Sequence, residues 1–179
     1  LDPAVEGSFK ALLRLYREHG RHPAYIEMLQ RAVERTDQAE QRFAYLMQIG
    51  ATYEDRLGDP AEAAVAYQRI LEQQHDHLEA LHAWQRAAER AGRHRDLVEA
   101  LEREAELAED PRRRIGLLQR SGEVLVSIGA RDDAVARFRE VLKLDEHHPP
   151  TLSELGKLYH QLGRASDRRD ILEIGRAHV

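Results

Sequence analysis

Ten histidines and 32 carboxylates stand in a chain with no cysteine, so metal or nucleophilic chemistry here must use imidazole, hydroxyl and carboxylate groups. His75, His77 and His82 are close together, and His147 and His148 are adjacent. A catalytic zinc helix wants His-Glu-x-x-His, which sets two imidazoles on one face a turn apart, and no such motif occurs. His75, His147 and His148 read as solvated turn residues, and none of these clusters reads as a metal site; partial protonation near neutral pH would only tune surface charge. Ser8, Ser121, Ser127, Ser153 and Ser166 are the serines, and none lies in a Gly-x-Ser-x-Gly elbow. The glycines are isolated, so no phosphate-cradling loop is present. Glu and Arg alternate at helical spacing, which makes solvated i,i+4 pairs more simply than acid–base dyads. Pro111-Arg112-Arg113-Arg114 is the densest basic run, but Glu106, Glu109 and Asp110 precede it and no aromatic residues interleave. It reads as a charged turn and not as a nucleic-acid stripe. The expectation is a protein without catalysis, cofactor or metal.

The elements that carry these residues follow from composition. The chain has 179 residues, 42% hydrophobic and 33% charged, with a net charge of −5, which argues against nucleic-acid or anionic-membrane binding. No run of 18 apolar residues exists to insert in a bilayer, and no basic-then-apolar secretory leader opens the chain. A cytoplasmic location is expected. Because residue 1 is Leu rather than Met, the sequence is read as a piece of a longer protein. Lys10, Lys143 and Lys157 are the only lysines and Asn is absent, a bias of G/C-rich codons and not a binding signal. Apolar residues recur at steps of three and four: Phe9, Leu12, Leu13, Tyr16; Leu46, Ile49, Tyr53; Leu78, Leu81, Trp84; Leu118, Val124, Leu125; Leu152, Leu155, Leu158, Tyr159. No period-two segment competes, so the fold class is all-α.

Gly20, Gly58, Gly92, Gly129 and Gly163 each follow an amphipathic segment, where a helix needs a left-handed cap. Second helices are expected after them, for example over 61–73 and 133–144, with Pro60 suited to a first helical turn. The capping glycines are spaced by 38, 34, 37 and 34 residues. A helix–turn–helix unit of about 34 residues is the arithmetic of a helical solenoid, in which each hairpin buries its apolar face on its neighbours.

At these residues the chain resembles the tetratricopeptide repeat (TPR) family, as a piece of a bacterial repeat protein. The second unit carries Leu46, Ile49-Gly50, Tyr53, Gly58, Ala63, Tyr67 and Ile70 in the family's register, with one extra residue at the turn. The fourth carries Leu118, Ser121-Gly122, Leu125, Gly129, Ala134, Phe138 and Val141. The fifth begins with Leu152, Leu155-Gly156, Tyr159 and Gly163, then weakens at Arg168; the first and third are degenerate, with Gln85 and Leu97 where small residues belong. The resemblance implies a right-handed α-solenoid of about five repeats over residues 4–172, at 4–36, 37–75, 76–110, 111–147 and 148–172. Gly50, Gly122 and Gly156 are expected at close helix crossings, opposite Ala63 and Ala134. Against this stands a generic helical solenoid or long bundle.

The resemblance also implies a concave groove lined by the first helix of each hairpin. The family's groove positions fall on Lys10 and Arg14, Met47 and Ala51, His82 and Arg86, Gln119 and Glu123, Ser153 and Lys157. Met47 is a soft contact suited to varied partners, and Arg14 and Arg86 are the residues best able to pair a peptide carboxylate. Some relatives clamp a chaperone's terminal carboxylate with a set that includes two Asn, which this chain lacks. The expected role is a non-catalytic scaffold or adaptor binding a peptide or partner helix of another protein. Two alternatives are a regulatory or sensory segment of a larger enzyme such as a protein kinase, and self-association through open repeat ends.

Residues 173–179, Glu-Ile-Gly-Arg-Ala-His-Val, break the helical pattern and look like the in-frame translation of a common sequencing adapter. They are read as a non-native tail.

Overall fold

The computed structural model describes residues 3–176, with side chains described from Gly7 onward. Among these residues there are ten α-helices and no strand, as the three- and four-residue apolar spacing requires. The chain forms two compact units that divide after Gly92.

The first unit contains α1 (Pro3–Glu18), α2 (His22–Arg35), α3 (Ala39–Thr52), α4 (Pro60–Leu71) and α5 (Leu78–Arg90). A π-helical turn, Tyr53–Leu57, continues α3. The second contains α6 (His94–Leu107), α7 (Pro111–Ser127), α8 (Arg131–Leu144), α9 (Pro149–Gln161) and α10 (Ala165–Arg176). The helix expected at 61–73 begins at Pro60 and ends at Leu71; the one expected at 133–144 begins two residues earlier, at Arg131. Asp59, His77 and Asp110 each cap a helix, their side chains accepting from the amides of Glu62, Ala80 and Arg112 at 3.1 Å.

All five capping glycines have the positive φ the pattern demands, between 64° and 76°. After three of them the next residue donates to the carbonyl five positions back: Arg21 to Tyr16, Ala130 to Leu125 and Arg164 to Tyr159, at 2.8–2.9 Å. In the second hairpin Asp59 reaches Tyr53, six back, at 2.9 Å. The π-turn is therefore where the extra residue of that repeat is absorbed, with the same cap closed over a wider loop.

In the first unit Leu29, Leu46, Tyr67, Ile70, Leu71, Leu81 and Trp84 are wholly buried. In the second, Leu125, Val135, Phe138, Leu155, Leu158 and Tyr159 form one cluster, and Ala105, Leu118 and Val141 a smaller one. α1 is the exception: no described side chain on it is fully buried, and Leu12 and Leu15 are exposed.

Three expectations are corrected. Gly156 does not lie at a close crossing, for a methyl added there would meet no atom within 4 Å. Gly50 and Gly122 do, but aromatic rings oppose them rather than Ala63 and Ala134. A methyl at Gly50 would stand 2.5 Å from Tyr67 Cζ, and one at Gly122 would stand 2.8 Å from Phe138 Cδ1. Those rings lie one turn beyond the expected alanines, which are buried but smaller. The fifth repeat has Leu172 where the ring would stand, and its exposed side chain leaves Gly156 uncovered. Finally, the helical pattern does not stop at Leu172, because α10 runs on through Arg176. Residues 177–179 of the expected tail lie outside the described residues.

Candidate functional site

The residues singled out from the sequence fall on α1, α3 and α5 of the first unit and α7 and α9 of the second. Lys10, Arg14, Ala51, His82, Arg86, Glu123, Ser153 and Lys157 are exposed and Met47 is half-buried, but Gln119 is buried. Several have intramolecular partners. Arg14 Nε lies 3.7 Å from Glu18, and Lys157 Nζ lies 2.6 Å from Glu154. These are solvated helix-surface pairs that a ligand could displace at little cost.

Arg86 is different. Glu54, 4% exposed, points inward from the π-turn because it continues the stripe of Phe43, Leu46 and Gly50. A buried carboxylate must be paired, and four donors converge on it. Arg86 Nε and Nη2 each lie 3.1 Å from its oxygens, Arg90 Nη1 lies 2.9 Å away, and the Tyr67 hydroxyl donates at 3.2 Å. Burial pushes the Glu54 carboxyl up, but the hydrogen bonds and charge of Arg86, with those of Arg90 and Tyr67, outweigh it and hold its pKa below the ordinary value. Burial and the neighbouring carboxylate drive the Tyr67 hydroxyl far above its usual range, so it keeps its proton and donates it to Glu54. The hydrogen bonds to Glu54 raise Arg86 in turn. Arg86 thus ties α5 to the end of α3 and is already committed to an internal carboxylate.

Gln119 is committed in a similar way. Its carbonyl accepts from the hydroxyl of Thr151, which is wholly buried, and its amide donates to Glu123 at 2.9 Å. His148 Nδ1, at the start of α9, lies 2.8 Å from the same hydroxyl, and this histidine is only half exposed. His75 Nδ1 contacts the Leu71 carbonyl at 2.9 Å, and the His77 ring meets Phe43 edge-on at 5.8 Å. Among the described residues no three His, Asp or Glu side chains converge as a metal site would need.

Sequence reasoning missed Glu54, Glu104 and Thr151. Glu104 lies on the apolar stripe of α6, three residues after Leu101, and Arg113 of α7 closes on it with Nε at 3.1 Å. The available signal was an acid on an apolar stripe, with an Arg at a helical position on a later helix.

A second feature was not anticipated. Between α1, α2 and α3 lies a cleft of about 560 Å³, walled by Phe9, Leu12 and Tyr16 of α1, Met28 and Ala32 of α2, and Tyr45 of α3. Phe9 and Tyr45 meet edge-on with centroids 5.9 Å apart, which closes one wall. Glu27, Arg31 and Arg35 bring charge to it.

No protein-family profile matches the chain, and no curated protein matches it in sequence. Its fold is that of solved helical-repeat proteins. MamA from AMB-1 superposes with a TM-score of 0.53 at 16% identity, covering 98% of this chain and 92% of that one. A tetratricopeptide repeat protein from Parabacteroides merdae superposes at 0.50 with 14% identity, covering 96% of this chain and 66% of that one. The class of fold is thus an all-α, tetratricopeptide-like helical repeat. No helix among the described residues is long and apolar enough to cross a membrane.

Proposed function

We propose that this chain is a non-catalytic, cytoplasmic scaffold that binds a peptide or partner helix of another protein along the outer faces of its first helices. Repeats at residues 4–36, 37–75, 76–110, 111–147 and 148–172 are the units of that scaffold. The observation that supports the reading most is the Glu54 knot. By fixing α5 against the end of α3 it holds Met47 and Ala51 on α3 and His82 on α5 at constant spacing. None of these three is fully buried. Rigid presentation of adaptable side chains lowers the ordering cost of binding. Since Arg86 is engaged, affinity on this face comes from Met47, Ala51 and His82, with Lys10 and Arg14 contributing charge; Glu123, Ser153 and Lys157 offer the equivalent face in the second unit.

The test is site-specific photo-crosslinking of the full chain to peptides selected from a random 12-residue library. Probes at positions 47 and 82 should capture the bound peptide, whereas a probe at Val65, exposed on α4, should not. Capture at Val65 alone would overturn the reading.

A further inference from the structure

The cleft between α1, α2 and α3 contains none of the first-helix residues discussed above, and its chemistry is more specific. Its floor is apolar and aromatic: Phe9, Leu12, Met28 and Tyr45. α1 has a marked apolar face yet no fully buried described side chain, so apolar area that the sequence provides is left open on this side of the unit. An open apolar cleft of this size is comparable to a ligand pocket, with room for a bulky side chain or two.

The polar groups decide what accompanies that side chain. Glu27 is occupied by Arg31, whose Nη2 lies 2.6 Å from it. Arg35, one turn further along α2, makes no side-chain hydrogen bond or ion pair among the described residues. Its guanidinium offers five donors and no acceptor. The Tyr45 hydroxyl accepts from the Gln41 amide at 2.9 Å, which leaves its proton to be donated. Gln41 has its own carbonyl filled by the Thr36 hydroxyl at 3.1 Å. The cleft therefore presents unused donors beside apolar walls, and the complementary group is a carboxylate next to a bulky apolar side chain.

We infer that this cleft is a second docking site, for a partner-protein segment that inserts a Leu, Phe or Met side chain against Phe9, Leu12 and Met28 and pairs an adjacent Asp or Glu with Arg35. Met28 suits such a role because its unbranched thioether repacks around different side chains.

The experiment is selection of a random 12-residue phage-displayed library on the full chain. Binders are then assayed as synthetic fluorescein-labelled peptides by fluorescence polarisation. One class of binder should combine a bulky apolar residue with a neighbouring acid. Arg35→Glu should weaken that class about tenfold or more, as loss of a charge pair plus repulsion implies. Leu12→Ser should weaken it too; Leu12 is 41% exposed, so circular dichroism of this variant should match that of the parent. Met47→Glu and His82→Glu should leave this class unchanged, which separates the site from the first-helix face. The inference fails if selected peptides lack acids, if Arg35→Glu binds them as tightly as the parent, or if no peptide depends on Leu12. It also fails if sedimentation shows a dimer that Leu12→Ser abolishes, for the cleft would then hold a second copy of the chain.

Discussion

The carboxylate of Glu54 and the guanidinium of Arg86, 32 residues apart, are joined by two parallel hydrogen bonds of 3.1 Å each. Glu54 is 3% exposed at its side chain while that of Arg86 is 57% exposed, so the pair sits at the boundary between core and solvent. The anion carries the cost of burial, and the cation remains hydrated on its outer side. Such a pair is worth less than a fully buried one, yet its acid cannot be left alone.

Replacement of Glu54 by Gln keeps the shape and removes the charge. With Arg86 and Arg90 about half exposed, the expected loss is about 2 kcal/mol, the range of hydrogen bonds to charged groups and not that of a sealed ion pair. Urea unfolding followed by circular dichroism measures it. In a double-mutant cycle, Arg86→Ala should cost much less in the Glu54→Gln background than in the parent. Additive losses would mean the two residues act separately.

The same carboxylate sets an acid limit. Its folded pKa lies below the ordinary glutamate value, so the folded state binds its proton less readily than the unfolded chain does. Its contribution is complete above the unfolded value of about 4.3 and is lost as the pH falls through the folded value. The parent should therefore lose stability faster than Glu54→Gln as the pH drops below about 4.3, and the gap between their urea midpoints should narrow. A gap that stays constant from pH 7 to pH 3 would contradict this assignment.

Two glycines at the same repeat position should respond oppositely to alanine. At Gly50 the new methyl would strike the Tyr67 ring, 2.5 Å from Cζ, and the ring is wholly buried and cannot swing away. Overpacking of this kind costs about 1–3 kcal/mol. At Gly156 the methyl meets nothing within 4 Å, so Ala should stabilise the helix by about 0.5–1 kcal/mol. Thermal melts of Gly50→Ala and Gly156→Ala compare the two directly.

That contrast shows where sequence reasoning was sufficient. The capping glycines were legible because a left-handed φ is a local demand that names its own residue. Helix periodicity was legible for the same reason, since it is satisfied within one or two turns, and the repeat spacing followed by counting from one cap to the next. Whether a glycine inside a helix faces a ring depends on a residue 16 or 17 positions later, and a family pattern marks the position without its partner. Gly50 with Tyr67 and Gly122 with Phe138 make this plain. Where the partner is Tyr, position 54 is Glu and takes its hydroxyl bond; where it is Phe, the corresponding position is Val126. The groove positions were the least legible. Exposure follows from helix register, but engagement does not: Arg86 and Gln119 stand at expected groove positions and also hold the protein's own groups.

Gln119 carries the last prediction. Its carbonyl depends on the Thr151 hydroxyl, and Thr151 is wholly buried. Thr151→Val keeps the volume and strands that carbonyl and the His148 imidazole that shares the hydroxyl. Leaving a buried acceptor unsatisfied costs about 1–3 kcal/mol. Removing both polar groups, with Gln119→Leu and Thr151→Val together, should recover much of that loss, because two apolar side chains then meet where a hydrogen bond had been. Peptide affinity should follow neither change if Gln119 serves the α7–α9 contact alone. Urea midpoints of the single and double variants, read beside fluorescence polarisation of a selected peptide, separate the two roles. A loss of binding in Gln119→Leu with unchanged stability would return this residue to the ligand face.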